Sequence, residues 1–355
     1  MKKKIKILLL INWHISYFSS ENKSMQLSDQ CFDKKYWFFK YFKEDVEVDV
    51  IDTRSLKFIE HFEKKHLRIY IMQTLRILNR IKNYDIIISH GTTSAIFLDF
   101  IRQCFKKKTP PHIVIDISSF HQASAKGIIF KLCQFASKSI DCLVYHTPKQ
   151  GEYFDEQFPW LKEKKEFISF GVDEEYWSKK SFSRIRKEKY IVCVGYRLRD
   201  WDTLIKAYQK SNKKYKLVLI GNPDLNICDE MIEVKPFIPV KELMDYIYGA
   251  KFSILPLDSY NFSYGQMTLL QQMAMGKVIL LSDVPPVESY VSEGLFRYKA
   301  KDVADLTKKL NELYSIDENK IMYLGKVNKE KCKTEYSERK MALELEKTII
   351  NVLRR

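Results

Sequence analysis

Two arginines near the middle of the chain have the residue type and the position needed to bind phosphate. An apolar run ends at Gly195, and Arg197 and Arg199 follow it just before a segment with helical periodicity. Guanidinium groups match the geometry of phosphate oxygens, and the amino end of a helix adds oriented N–H groups. The pattern predicts a diphosphate site. The alternative is that both arginines pair with Asp200 and Asp202 at the surface.

A second candidate begins at Gly265, which lies between an apolar run and another helical pattern. Glycine lets the backbone approach a ligand closely. Gln266 and Thr268 place hydrogen-bond donors at the amino end of the predicted helix, where a phosphate docks. Gln271 lies one turn further on, where it can accept hydrogen bonds from a ribose diol. A βαβ unit that only packs against a sheet would explain the apolar positions but not these polar ones.

Short apolar runs alternate with longer helical patterns, and this alternation predicts the elements that position both candidates. Strands are predicted at residues 5–11, 46–51, 84–89, 112–117, 142–145, 190–194, 217–220, 252–257 and 278–282. Helices are predicted at 94–105, 127–136, 203–210, 240–248, 267–275, 303–313 and 337–353. Repeated strand–helix–strand units imply parallel pairing with right-handed crossovers. The sequence therefore predicts an α/β protein with two Rossmann-like, doubly wound domains that face each other across a cleft.

The join between the two domains is predicted at Phe170-Gly171-Val172-Asp173. We assign residues 1–170 to an N-terminal domain, onto which a C-terminal helix at 337–355 packs back. Residues 171–336 form the C-terminal domain. A chain of 355 residues is too long for one ordinary domain and sufficient for two.

The composition is that of a folded protein with a basic surface. Hydrophobic residues make up 45% and charged residues 30% of the chain. Seven cysteines are scattered without a disulfide or metal-binding pattern, which favours a reducing compartment and hence the cytoplasm. The net charge of +15 suits an anionic ligand or surface. No nucleic-acid recognition motif accompanies it, so we expect no nucleic-acid partner.

Five short motifs occur in an order that resembles a known family. They are Phe170-Gly171-Val172-Asp173, Gly195 with its two arginines, Leu219-Ile220-Gly221, Ala274-Met275-Gly276-Lys277-Val278-Ile279 and Ser289-Tyr290-Val291. Together they resemble the donor-binding domain of GT-B glycosyltransferases. The similarity is greatest to the large, mostly retaining family 4, or group 1, of bacterial polysaccharide and glycolipid enzymes.

The resemblance implies sugar transfer from a nucleotide-diphosphate sugar to a glycan or lipid-linked acceptor in bacterial surface polysaccharide assembly. It implies retention of configuration, with neither a metal ion nor a cofactor. Arg197 and Arg199 would stabilise the departing diphosphate, and His121 would face the donor sugar as a catalytic residue. The implied donor-binding residues are Gly195, Arg197, Arg199, Phe237, Ser263, Tyr264, Gly265, Gln266, Met267, Thr268 and Gln271. The implied acceptor residues are Asn12, Trp13, His14 and His90.

The chain departs from the family at two carboxylates. The family pattern places Glu at two positions separated by seven residues, and this chain has Ser263 and Gln271 there. Glutamine keeps acceptor oxygens for a ribose, but serine does not replace a carboxylate near the transferred sugar. We favour an active variant. The alternatives are a non-catalytic partner subunit of another transferase and a nucleotide-sugar epimerase.

Asp200-Trp201-Asp202 matches the Asp-x-Asp motif that holds a divalent metal ion in other sugar transferases. The motif falls at a predicted helix start, where an aspartate side chain caps the first turn. We therefore predict no metal ligands.

The segment between Lys57 and Lys82 mixes basic and apolar residues at helical spacing. A basic amphipathic helix can lie on an anionic lipid surface, which would place the protein at the inner face of the plasma membrane. The alternative is that its apolar face packs in the core as part of a Rossmann crossover.

Overall fold

The computed structural model describes residues 4–17, 30–32, 35–105, 109–117, 126–178, 189–195, 198–221, 225 and 227–355. The chain divides into two compact units. The first consists of Met1–Ser169, Asn261–Tyr264 and Met341–Arg355, and the second of Phe170–Tyr260 and Gly265–Lys340. The main break lies next to the boundary predicted at residues 170 and 171.

A six-stranded parallel sheet forms the centre of the first unit. The described strands of this unit are β1 (Ile5–Ile11), β2 (Ser16–Tyr17), β3 (Gln30–Phe32), β4 (Lys35–Tyr36), β5 (Val46–Ile51), β6 (Ile86–His90), β7 (His112–Ile115), β8 (Cys142–Tyr145) and β9 (Lys165–Phe167). The six-stranded sheet has the order β5-β1-β6-β7-β8-β9, and β2, β3 and β4 form a separate small sheet. Strands β6 and β7 are buried along their whole length, as expected for parallel strands covered on both faces.

This strand order places a topological switch point between β1 and β6. The chain continues from β1 to β5 on one side, while β6 and its successors lie on the other side. In doubly wound sheets, ligands bind at the carboxyl ends of the strands that flank such a point. A binding site in this unit is therefore expected at the residues just after β1 and β6.

The helices of the first unit include the last helix of the chain. The others are α1 (Lys57–Phe62), α2 (Ile71–Leu75), α3 (Ile96–Phe105), α4 (Ile128–Ser137) and α5 (Pro148–Gln157). The C-terminal helix, Glu338–Arg354, belongs to this unit from Met341 onward. Its Thr348 hydroxyl donates to Glu166 Oε2 at 2.8 Å, and its Glu346 accepts from the Glu44 backbone N–H at 2.7 Å. The predicted packing of this helix on the N-terminal domain is confirmed.

A second six-stranded parallel sheet forms the centre of the second unit. Its strands are β10 (Tyr190–Val194), β11 (Lys216–Ile220), β12 (Ile232–Lys235), β13 (Ser253–Leu255), β14 (Ile279–Asp283) and β15 (Leu295–Lys299). They follow the order β12-β11-β10-β13-β14-β15, so the switch point lies between β10 and β13. The predicted class of two Rossmann-like α/β domains is thus confirmed.

The helices of the second unit connect these strands and end in a long pair. They are α6 (Glu174–Ser178), α7 (Trp201–Lys210), α8 (Val240–Gly249), α9 (Gln266–Ala274), α10 (Val303–Ser315) and α11 (Glu318–Glu335). Helix α11 packs closely because Gly325 lies against the backbone of Gly276, where a Cβ would overlap the Gly276 carbonyl oxygen. Asn328 on the same helix donates to Lys277 O at 2.7 Å and Gly294 O at 3.0 Å. These contacts hold α11 at the turn that follows α9.

None of the helices in the described part of the chain is both long enough and apolar enough to cross a membrane.

Candidate active site

Arg199 lies at the switch point of the second sheet, where it bridges the end of β10 and the start of α9. Its Nε–H donates to Val194 O at 3.2 Å, and its Nη2–H donates to Thr268 Oγ1 at 3.2 Å. A Cβ at Gly195 would overlap the Arg199 side chain, so glycine is needed for the arginine to fold back over the strand end. The structure thus brings together three predicted donor-binding residues.

Helix α9 begins at a glycine with a left-handed backbone. Gly265 is its N-cap residue with φ 78°, and a Cβ there would lie 2.8 Å from the Leu257 side chain. Both the torsion angle and the close contact require glycine. Thr268 in the first turn contacts the Arg199 side chain, so the guanidinium lies beside the amino end of the helix. A guanidinium beside a helix amino end is an arrangement suited to an anionic phosphate.

The side chains along α9 separate into buried and exposed groups. Gln266 and Gln271 are buried, whereas Met267 is 40% exposed. Ser263, which occupies the first family glutamate position, is buried as well, and Tyr264 is half-buried. Burial of polar side chains requires hydrogen-bond partners, so these residues are not simply a solvated surface.

The aspartates next to Arg199 pair with other groups. Asp200 caps α7 by accepting from the Thr203 backbone N–H at 3.2 Å. Asp202 pairs with Lys206 at 2.7 Å on the exposed side of the same helix. Capping by Asp200 agrees with the expectation for the Asp-x-Asp motif. Within the residues that the structure describes, no group of three or more His, Cys, Asp and Glu side chains is arranged to hold a metal ion.

Three other predicted residues were not found beside Arg199, because one is exposed after an edge strand and two lie outside the described residues. Phe237 follows the edge strand β12 and is 71% exposed. Arg197 and His121 lie outside the described residues. Their predicted roles in binding the diphosphate and the donor sugar therefore remain predictions.

Three of the four predicted acceptor residues meet at the switch point of the first sheet. The rings of Trp13 and His90 lie edge to face with centroids 4.9 Å apart. Asn12 Nδ2 donates to Thr93 Oγ1 at 3.4 Å. Gly91, with φ 98°, leaves room for Asn12, because a Cβ at this position would overlap its amide. The loops after β1 and β6 are thereby packed on each other.

His14, the fourth acceptor candidate, pairs with a carboxylate that the sequence analysis did not identify. Its Nε2 contacts Glu60 Oε1 on α1, and about half of the imidazole is exposed. A carboxylate partner fixes the orientation and the tautomer of an imidazole. Glu60 lies 46 positions away in the sequence, so only the crossover after β5 brings the two together.

His90 and His146 lie at the carboxyl ends of β6 and β8 and are both buried. Burial, together with a contribution from the nearby His146, lowers the pKa of His90 to about 3. Burial also lowers the pKa of His146 to about 4, although its hydrogen bond to Ile168 O opposes the shift. Both imidazoles are therefore neutral at neutral pH, and His90 packs against Trp13 at this edge.

A buried carboxylate anchors the chain where it leaves β7. Asp116 accepts hydrogen bonds from the hydroxyl of Thr92 and from Gln150 Nε2, the latter at 3.2 Å. Gln150 also completes the capping box of α5 with Thr147. The segment that contains His121 begins two residues after Asp116. Asp116 is fully buried and cannot contact a substrate.

A serine, a histidine and an aspartate form a buried chain that no sequence motif indicated. His112 Nε2 lies 2.8 Å from Ser89 Oγ, and His112 Nδ1 lies 2.7 Å from Asp99 Oδ1. The connectivity is that of a hydrolytic triad. All three side chains are completely buried, so no substrate can reach the serine. The chain instead fastens α3 to β6 and β7.

Comparison with known proteins agrees with this architecture. The family model described as "Glycosyl transferases group 1" matches residues 188–315. The second unit is a group 1 glycosyltransferase domain. No curated protein is similar to the chain at a significant level.

Solved structures resemble the chain over nearly its full length. HepE from Anabaena, solved with UDP and glucose, is 12% identical with a TM-score of 0.66, covering 98% of this chain and 100% of its own. Sucrose-phosphate synthase from Thermosynechococcus elongatus is 13% identical with a TM-score of 0.69, covering 98% and 99%. The catalytic domain of starch synthase IV from Arabidopsis thaliana is 11% identical with a TM-score of 0.70, covering 99% and 100%. At these identities the likeness establishes the fold, which is GT-B.

Proposed function

We propose that the protein transfers a sugar from a nucleotide-diphosphate sugar to a glycan or lipid-linked acceptor. The observation that carries the proposal is the contact between Arg199 and Thr268 at the amino end of α9. The contact lies within the part of the chain that matches the glycosyltransferase family. HepE, a structural relative, has been solved with UDP-glucose, a donor of the proposed class.

In the proposed reaction, Arg199 and the first N–H groups of α9 bind oxygens of the donor diphosphate. The bond between the anomeric carbon and the phosphate oxygen breaks, and its electron pair leaves with the diphosphate. Cationic and dipolar groups fixed beside the leaving group stabilise this charge as it develops. The acceptor hydroxyl oxygen bonds to the anomeric carbon and gives its proton to an oxygen of the departing diphosphate. We propose that configuration is retained. We also propose that no metal ion or cofactor takes part, because the protein itself neutralises the leaving group.

Acceptor binding is proposed at the switch point of the first sheet. Trp13 offers an aromatic edge and face to a sugar ring, and Asn12 and the His14–Glu60 pair offer hydrogen-bonding groups. Clefts at such switch points are the usual ligand sites of doubly wound sheets.

The test of donor binding is a melting-temperature panel with UDP, GDP, CDP, ADP and their sugar conjugates. A ligand that binds only the folded state stabilises it by about 2.7 kcal/mol at 100 times its Kd. Arg199→Ala should lower the affinity for the nucleotide that stabilises wild type by roughly 30- to 100-fold, since it removes hydrogen bonds from a charged donor. Lys206→Met is the matched control, because it removes a positive charge from the adjacent helix, where Lys206 pairs with exposed Asp202. Equal affinity of Arg199→Ala and wild type would refute the proposed donor site.

The non-catalytic alternative is motivated by Ser263, which stands where the family has a carboxylate. It predicts nucleotide binding without turnover. Release of nucleoside diphosphate from the preferred donor, dependent on an added acceptor, would exclude it. An epimerase would convert the donor sugar without releasing nucleotide, so product analysis separates the third candidate.

We further propose that residues 56–68 bind an anionic lipid surface and place the enzyme at the cytoplasmic face of the membrane for surface polysaccharide assembly. Helix α1 has no buried residue, and Leu56, Phe58 and Phe62 are 63%, 72% and 53% exposed. Lys57, Lys64 and Lys65 are exposed beside them. Exposed aromatic residues among lysines suit insertion at an anionic interface. Ile77 and Ile81, later in the segment between Lys57 and Lys82, are buried. This later part therefore packs in the core, as a Rossmann crossover does.

Flotation with vesicles of phosphatidylglycerol and phosphatidylcholine tests the membrane proposal. Wild type should float at low salt, and the double variant Phe58→Ser, Phe62→Ser should lose most of this binding. Phe105→Ser is the matched control, because Phe105 is 68% exposed on α3, outside residues 56–68. A wild-type protein that stays unbound, or a double variant that floats as well as wild type, would contradict the proposal.

A further inference from the structure

Lys301 is a cation at the carboxyl edge of the second sheet that the sequence analysis did not identify. It follows β15 and has a left-handed backbone with φ 65°. Its ammonium group lies 2.5 Å from Asp258 Oδ1 and 3.6 Å from Asp200 Oδ2. Lys301 therefore joins the loop after β10 to the loop after β13, which are the two loops beside Arg199.

These two loops are paired through their backbones around Arg199. Arg199 forms an antiparallel bridge with Leu257. The Asp200 N–H donates to Pro256 O at 2.9 Å, and the Asp258 N–H reaches Leu198 O at 3.5 Å. Leu198 itself has φ 55°, a conformation that is unfavourable for a branched side chain. Neighbouring contacts must therefore stabilise this turn, and the ion pairs of the Lys301 side chain are among them.

The charges at this place would oppose an anionic ligand if Lys301 were absent. Asp200 is buried, and the Asp258 side chain is only 24% exposed. Without the lysine, two carboxylates in the paired loops that carry and flank Arg199 would repel a diphosphate bound there. Lys301 supplies the compensating positive charge. Asp202, by contrast, is neutralised by Lys206 at the surface.

We propose that Lys301 is a positioning residue of the donor site. Its ammonium offsets one of the two negative charges of Asp200 and Asp258 and holds the loop 198–200, so that Arg199 is available to the donor diphosphate. The inference rests on the proposed function for the identity of the ligand. Lys301 acts through these aspartates and needs no contact with the nucleotide.

Calorimetric titration with the nucleoside diphosphate that stabilises wild type tests the electrostatic role. Lys301→Met should weaken binding by about five- to tenfold, as expected for one uncompensated charge several ångströms from the ligand near a protein surface. Lys301→Arg should restore most of the affinity. Lys301→Met combined with Asp258→Asn should also recover affinity, because it removes the uncompensated negative charge. Lys299→Met is the control, since Lys299 is an exposed lysine two residues earlier and should bind as wild type does.

Hydrogen exchange of the nucleotide-free protein gives a second readout that does not depend on the ligand. The amides of Asp200 and Asp258 should exchange several-fold faster in Lys301→Met than in wild type or Lys299→Met. If affinity and exchange are both unchanged, the inference is wrong. If the double variant stays as weak as Lys301→Met, charge compensation is refuted. If wild type binds no nucleotide, the proposed function fails, while exchange still decides whether Lys301 holds the loop.

Discussion

At the scale of single residues, the site depends on a few side chains whose neighbours remove competing interactions. Arg199 contacts Thr268, while the nearby aspartates are engaged by a helix N-terminus and by lysines. The type and order of Gly195, Arg199 and Gly265 are readable in the sequence, because each follows the end of a strand. Lys301, which pairs with the aspartates, cannot be recognised in the sequence. It lies about 100 positions from Asp200, and no motif distinguishes it from other surface lysines.

Burial of neutral histidines predicts acid sensitivity of the first unit. The pKa of His146 is about 4 in the folded protein and near 6.5 when exposed, so the unfolded chain binds more protons between these values. The free energy of unfolding should therefore fall as the pH drops from about 6.5 to 4, by on the order of 3 kcal/mol for this histidine.

Urea denaturation at a series of pH values measures this effect. His146→Gln should flatten the loss of stability between pH 6.5 and 4, and His14→Gln serves as the comparison because His14 is half exposed. The same slope in His146→Gln and wild type would show that acid sensitivity arises elsewhere.

At the scale of elements, periodicity located most of the longer strands and helices, and two of the elements that it did not locate share a physical cause. Strands β1, β5, β8 and β10 have the predicted bounds because they are uninterrupted apolar or alternating runs. Strand β12, Ile232–Lys235, and helix α11 were not predicted. The former is a short edge strand with charged residues, and the latter is so rich in lysine that its buried residues are reduced to Leu324, Gly325, Asn328 and Cys332. Their positions are set by partners and not by hydrophobic patterning.

The contact between α11 and the turn after α9 should be sensitive to a single methyl group. Gly325→Ala should destabilise the second unit by about 1–3 kcal/mol, because the added Cβ overlaps the Gly276 carbonyl and the backbones must separate. Chemical denaturation followed by circular dichroism measures the change. Lys326→Ala, at the next and exposed position, should alter stability by less than about 0.5 kcal/mol. Equal stabilities of the two variants would mean that α11 adjusts without cost.

At the scale of the whole molecule, the chain forms two parallel sheets, and its C-terminal helix joins the first unit. Met341, Leu345 and Ile349 of the C-terminal helix are buried, although the unit they join ends its main run at Ser169. The apolar spacing of this helix predicted its amphipathic face.

The sequence by itself determined the fold class, the division into two units and the positions of the residues that we propose bind phosphate. Hydrophobic periodicity and strand-ending glycines are local signals, so each can be recognised without knowledge of the rest of the chain. Tertiary structure alone decided the pairing of His14 with Glu60, the buried Ser89–His112–Asp99 chain and the contact of Lys301 with Asp200 and Asp258. These partners come from different strand–helix units, and only the order of strands in each sheet determines which side chains meet.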